Sequence, residues 1–480
     1  MQERASSSGN NLLLALLSAA QVTISMDFSL ASVALPAMER GLNIGPSLSQ
    51  WVLTGDLLAY GGFLIVGGRL SDAYGQKRTL FLGLLLFSLG ALGTSLSDAL
   101  GELVFCRALQ GLGGALAYPA TVALLTINFR PGPERYRALT VSMVSQAVGV
   151  PLGTMVAGYL VTRWGWHSAF LLDVPLCIGL ILLLPVVLPK WKRVSEEKIN
   201  IPVAAAFLLA IGSAFAIHGA ISSVSTNPNT LALAPYTLTT GVVLLGIFIA
   251  WQSVSKTPMV PRHLLRTRNL VAGTFISAFI VLVGKGLVVL ANLSFQKGLH
   301  LSAREASLHL YPMAVGSLLV IPVARWLTPF LVRSPKAALI GAFIVAMTFN
   351  SILSVMPLEY AFIGLSCILF LAPFAALNGT NVGIAETLHD VMPQDQGVAG
   401  AILYTAVQVI GAVGMSLIIV ASGQSEMAAN DFAKFAPSFR LAAEICVFGI
   451  FLTALTLRPH RTVAQSPPLA DAAVNKAPGE

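Results

Sequence analysis

The sequence predicts an all-α membrane protein in which fourteen apolar helices cross the bilayer. Three observations carry this expectation. Only 10% of the 480 residues are charged and 55% are apolar, whereas a soluble domain carries about 25% charged residues. Apolar runs of about twenty residues, enough to span the hydrocarbon core as a helix, recur along the whole chain. The basic residues between those runs are concentrated in alternate loops, as the cytoplasmic preference of Lys and Arg requires.

Taken in order, the runs fall at 12–35, 48–69, 79–96, 102–125, 138–161, 167–189, 201–222, 232–253, 270–294, 305–324, 337–356, 360–384, 397–421 and 438–457. The first is too long for a signal-peptide core and lacks a small-residue cleavage site before the next polar break, so it is read as a retained span. With both termini cytoplasmic, the inner segments carry 21 basic residues and the outer segments 6. The inner set includes Arg4, Arg69, Lys77, Arg78, Arg130, Arg135, Arg137, Lys190, Lys192, Arg193, Lys198, Lys256, Arg262, Arg266 and Arg268. A single miscounted early span would move every later loop to the other side and erase that asymmetry.

Spans 7 and 8 lie between the basic loops 190–198 and 256–268, so they read as a hairpin inserted between two six-helix bundles. The expected division is therefore 1–189, 190–255 for the linker and hairpin, and 256–461, with a disordered cytoplasmic tail at 462–480. The net charge of +8 is explained by loop charges, and nucleic acid is excluded as a partner. The four cysteines, Cys106, Cys177, Cys367 and Cys446, sit singly in apolar runs and indicate neither disulfides nor a metal site. No GxxxxGK[ST] phosphate loop and no HExxH motif is present.

Four charged residues inside spans share a similar depth. With 1.5 Å of rise per residue, Asp27, Asp56, Arg107 and Lys285 all fall roughly 3 to 6 residues outward of their spans' midpoints. An arginine there is expensive unless it is paired or solvated, which makes it a functional candidate. A desolvated carboxyl can hold a proton at ordinary pH. The four charges are therefore read as one candidate polar cluster in the outer half of the membrane. Asp27 would bind and release the proton, Arg107 would tune it, and Asp56 and Lys285 would touch substrate or compensate each other. Gln110, Gln146, Asn378, Asn381, Tyr404 and Gln408 could line the substrate path, although each could equally be an interhelical hydrogen bond. His218 reads as a packing residue, and Glu386 and Asp390 read as solvated groups at the inner end of span 12.

Several stretches resemble the signatures of the major facilitator superfamily. The loop GRLSDAYGQKRTL, with Gly68, Leu70, Asp72, Gly75, Lys77, Arg78 and Leu80, resembles GxLaDrxGrkxxl. The resemblance implies a gating loop whose Asp meets a neighbouring helix end and a basic residue, with Arg130 as the candidate partner. LVFCRALQGLGGALAYP, with Arg107, Gln110, Gly111 and Gly114, is similar to lxxxRxxqGxgaA, and MDFSLASVALP resembles the DxtvxnvALP of drug:proton antiporters.

Gly149, Pro151, Gly153 and Gly158 resemble the antiporter signature gxxxGPxxGG, but Thr154 replaces its proline and Ala157 a glycine. WHSAFLLDVP is similar to WrwiFlinvP, with Asp173 for the usual asparagine. Gln394 to Gly414 resembles span 13 of the fourteen-span drug:proton antiporters, a multidrug and quaternary-ammonium efflux group. The resemblance implies a monomeric, proton-driven exporter of small organic compounds in the bacterial inner membrane, needing no cofactor. A metabolite importer or facilitator of the same fold is the alternative, and a membrane-embedded enzyme a remote one.

Overall fold

The computed structural model describes residues 2–49, 51–130, 133–188, 203–223, 228–255, 258, 260–392, 396–423 and 432–457. Lys190, Lys192, Arg193, Lys198, Lys256, Gln394 and the 462–480 tail lie outside the described residues.

Each of the fourteen predicted positions holds a helix. These are α1 (Gln2–Leu42), α2 (Trp51–Tyr74), α3 (Gln76–Leu96), α4 (Leu100–Asn128), α5 (Pro133–Trp164), α6 (Asp173–Val187, preceded by the short helix His167–Leu171), α7 (Val203–Ser222), α8 (Pro228–Val254), α9 (Arg268–Leu293), α10 (Tyr311–Arg333), α11 (Pro335–Val355), α12 (Leu358–His389), α13 (Gln396–Gly423) and α14 (Ala436–Thr456). Among the described residues, twelve helices are long and apolar enough to cross a membrane; α7 contributes a shorter apolar stretch, Val203–Gly219, and α10 is the fourteenth. Large apolar side chains such as Leu182, Val186, Ile249, Ile363 and Phe451 point outward, as a lipid-facing surface demands.

Two interruptions have local causes. Between α2 and α3 the chain reverses at Gly75, whose φ of 95° is a region side chains avoid and glycine enters freely. Span 6 is expected to be regular but loses helical hydrogen bonding around Leu172, while its backbone there stays helical (φ −60°, ψ −37°). Pro175 lies in the first turn of α6, where its missing N–H is tolerated but leaves the preceding turn one bond short. The interruption puts Asp173 at the start of α6.

In the first bundle α1 packs on α5, and α4 packs on α2 and α3; in the second, α9 packs on α12, α13 and α14, and α11 on α14. The bundles meet where α2 lies along α13, α5 along α10, and α1 along α9; α7 and α8 form a hairpin whose α7 covers α2 and α13. Thr54 Oγ1 and Ser416 Oγ, 2.8 Å apart, tie the α2/α13 seam. At the predicted outer end the core is shared, with Leu30 and Ala34 of α1 in one cluster with Leu290 and Leu293 of α9. At the opposite end the cores largely separate. Leu13, Leu16, Leu80, Leu124 and Leu184 cluster within the first bundle, and Leu264, Leu270, Val391 and Ala399 within the second.

A polar latch reinforces the shared end. Asn292 Nδ2 donates to the Ser32 carbonyl at 2.6 Å and Gln296 Nε2 to the Val33 carbonyl at 3.0 Å. Lys297 pairs with Glu39, which also accepts from Ser49 Oγ at 2.7 Å.

Candidate functional site

Arg107 is the centre of a buried charge cluster and has no solvent exposure. Its Nη1 donates to both oxygens of Asp27 and to Gln110 Oε1, each at 2.8 Å. Its Nε donates to the Val52 carbonyl at 3.0 Å, and its Nη2 lies 3.5 Å from Asp56 Oδ2. The guanidinium carbon sits 5.5 Å from the Phe170 ring. Gln110 Nε2 donates to Asp27 Oδ1 at 2.7 Å and reaches Asp173 Oδ2 at 3.4 Å. Arg107 and Gln110 are one turn apart on α4 and therefore share a face, so both point at Asp27.

The close approach of α1 comes from α5. A Cβ on Gly149 would stand 2.7 Å from the Val22 carbonyl, and one on Gly153 2.5 Å from the Met26 carbonyl. These two glycines let α5 lie against the turn that carries Asp27. Gly158, further out, meets Ser307 and Ala303 of the second bundle. Thr154, standing in the proline position of the antiporter signature, donates to the Val150 carbonyl at 3.0 Å, so α5 remains continuous there while Pro151 sits inside the same helix.

Lys285 of α9 faces this cluster from the second bundle. Its Nζ donates to Gln408 Oε1 at 3.0 Å and lies 5.1 Å from the Phe28 ring; Asp56 is the acid within its electrostatic reach. Tyr404 packs tilted against Tyr118, ring centroids 5.2 Å apart, and Tyr118 lies 6.4 Å from Tyr60. These three rings line up across α2, α4 and α13. Asn378 turns its amide back to the Phe374 carbonyl of its own helix. Gln146 is half-buried and Asn381 exposed, and neither makes a hydrogen bond to the charged cluster. A small apolar crevice lined by Ile280, Phe343, Phe349 and Ala376 lies inside the second bundle, apart from the charges. Among the described residues no group of three or more His, Cys, Asp or Glu is placed to hold a metal ion.

The structure corrects the readings of two of these groups. Asp72 is exposed, and the cation acting on it is Arg69, one turn back on α2; no ion pair among the described residues joins it to Arg130. In the same loop Lys77 instead donates to the Leu188 carbonyl at the end of α6, Arg69 reaches the Pro258 carbonyl at 3.0 Å, Gly68 faces Pro119 and Arg78 is exposed. Glu386 is buried rather than solvated, because α12 turns that face inward; Asp390 accepts from Asn269 at 2.8 Å. His218 packs on Trp51, with ring centroids 6.1 Å apart. The residues the sequence reading left out of the site are Asp173, Phe28, Tyr60 and Tyr118. Of these only Asp173 gave a signal, as an acid in place of an amide.

A profile of the Major Facilitator Superfamily matches residues 17–415. The chain belongs to the major facilitator superfamily. Among its relatives in the superfamily is the cephamycin export protein CmcT of Amycolatopsis lactamdurans, 29% identical, with 92% of this chain and 91% of that one aligned. Another is the lincomycin resistance protein of Streptomyces lincolnensis, 27% identical over 96% of this chain and 94% of that one. A crystal structure of the peptide transporter POT with sulfate superposes with a TM-score of 0.68 at 17% identity, covering 92% and 94% of the two chains. That likeness establishes the major facilitator fold and nothing about cargo.

Proposed function

We propose that this protein is a proton-coupled secondary exporter of small organic compounds, working by alternating access. It has fourteen spans with both termini in the cytoplasm, two six-helix bundles and an inserted hairpin, and it acts as a monomer in the bacterial inner membrane. The proton gradient drives it and no cofactor is needed. The observation that carries this reading is the Asp27–Arg107 pair, a titratable acid bound to a fully buried guanidinium beside the seam between the bundles. The relatives, named for cephamycin export and lincomycin resistance, support a cargo of small organic molecules moving outward.

The geometry suggests how a proton moves the bundles. With Asp27 ionised, Arg107 is held on α1. A proton on Asp27 removes that attraction, and Asp56, already 3.5 Å from Nη2, becomes the stronger partner. Asp56 lies two residues from Thr54, which bonds across the seam to Ser416, so the guanidinium's shift pulls on the helix that joins the bundles. The shared outer core and separate inner cores fit an inward-facing state, in which Asp27 has just given up its proton. Lys285 adds a positive charge to the cavity wall and favours neutral, zwitterionic or anionic cargo beside cations. A susceptibility panel tests this in a pump-deficient bacterial host, comparing wild type with Asp27→Asn against cationic dyes, neutral antibiotics and acidic antibiotics. Raised tolerance to at least one class, lost in the variant, is expected; equal tolerance in both would refute the reading.

A further inference from the structure

The charges around Arg107 do not balance unless one acid is neutral. Three carboxyls, Asp27, Asp56 and Asp173, face two cations, Arg107 and Lys285, and an uncompensated charge in so dry a place is costly. The hydrogen bonds say which acid it is. Asp27 takes both short guanidinium bonds. Asp56 has Arg107 Nη2 and, further off, Lys285. Asp173, with no solvent exposure, makes no ion pair; its Oδ2 has a long contact to Gln110 and its Oδ1 has no partner. Gln110 Nε2 stands between the two acids, 2.7 Å from Asp27 Oδ1 and 3.4 Å from Asp173 Oδ2, so the second carboxyl is left with half of one neutral donor and no cation. Of the other titratable groups on the elements packed against α6, Lys77 and Arg78 lie at the far end of α3, Glu39 and Arg40 lie three turns along α1 from Asp27, His167 begins the short helix before α6, and Cys177 is one turn along α6 itself.

We propose that Asp173 is a second proton-holding group of the transport site, keeping a proton as a neutral carboxylic acid beside Asp27 and Gln110. This rests on the proton-coupled reading above and deepens it. Asp27 gains and loses the transported proton as Arg107 shifts to and from Asp56, while Asp173 keeps its own O–H throughout, so no uncompensated carboxylate forms beside Gln110. The test is infrared difference spectroscopy of the full chain in lipid nanodiscs at neutral pH, with no substrate added, following the C=O stretch of protonated carboxylic acids. Wild type is expected to show the band, Asp173→Asn to lose it, and Asp173→Glu to shift its frequency. The Glu variant guards against an Asn variant that fails to fold, and it assigns the band to this side chain. A band left at its wild-type position in Asp173→Glu, a band retained in Asp173→Asn, or no band in wild type would each overturn the proposal. Proton coupling itself is read separately from lumenal pH in proteoliposomes, and wild type without a pH change there overturns both.

Discussion

Asp27→Asn removes one charge and leaves the side chain's shape. Three hydrogen bonds end on Asp27, two from Arg107 and one from Gln110. Bonds to an ionised group contribute about 1.5–3 kcal/mol each and neutral ones about 0.5–1.5 kcal/mol. The amide oxygen can keep one guanidinium bond, still charge-assisted by Arg107, and its NH2 must turn from the other. The expected loss is therefore about 2–3 kcal/mol, partly recovered as Asp56 closes its 3.5 Å gap to Nη2. Against a typical 5–15 kcal/mol of stability the variant stays folded. Proteoliposomes with an imposed pH gradient would be loaded with a compound identified by the susceptibility panel. The variant should exchange labelled for unlabelled compound at near wild-type rate yet fail to concentrate it when the gradient is applied. Gradient-driven accumulation equal to wild type would refute the assignment of Asp27 as the proton site.

Other consequences are independent of that one. Asn292→Ala removes the bond to the Ser32 carbonyl and leaves Gln296 without its second partner; a loss of about 1–2 kcal/mol from the closed outer end should raise the outward-open population several-fold, read as distances between spin labels on the outer ends of α1 and α9. Gly153→Ala drives a methyl into the Met26 carbonyl, so α1 must shift; about 1–3 kcal/mol of destabilisation and loss of transport are expected, checked by thermal unfolding in detergent and by uptake. Gly75→Ala places a side chain at φ 95°, costing about 1–2 kcal/mol, and should slow exchange with little change in affinity for the cargo. Lys285→Gln removes the cation beside Phe28 and should tilt the susceptibility profile toward dicationic biocides at the expense of acidic compounds.

The parts of the site legible in the sequence were those held by local geometry. Arg107 and Gln110 share a helix face by spacing alone, and Asp27 and Asp56 are conspicuous because acids are rare inside spans. Asp173 stood out as an acid in a position where the resembled signature has an amide. Its meeting with Asp27 depends on how α6 and α1 pack around α4, which spacing along the chain does not encode. Tyr118 was hidden because an aromatic in an apolar span looks like lipid-facing or core surface until Tyr404 arrives from the other bundle. Lys297 was counted as an outer-loop charge and its partner Glu39 was not read, since a latch between bundles leaves no pattern in either loop. Burial of Glu386 was missed for the same reason: it sits at a helix end whose neighbours come from elsewhere in the chain.

The fold was read more completely, because hydropathy and loop charge report on the bilayer directly. The interrupted hydrogen bonding before α6 was the exception, and Pro175 carried its signal. α7 and α10 fall outside the twelve helices that clearly meet the length and apolarity needed for a span, although each occupies a predicted span position.

The central claim is exchange of cargo for protons in opposite directions, and the sign of one pH change tests it. Proteoliposomes containing a trapped pH indicator, with no imposed gradient, are given the identified compound on the outside only. Antiport predicts that compound entry expels protons and the lumen turns alkaline, with no response in Asp27→Asn. An acidified lumen, or none of the change in wild type while compound still enters, would contradict it.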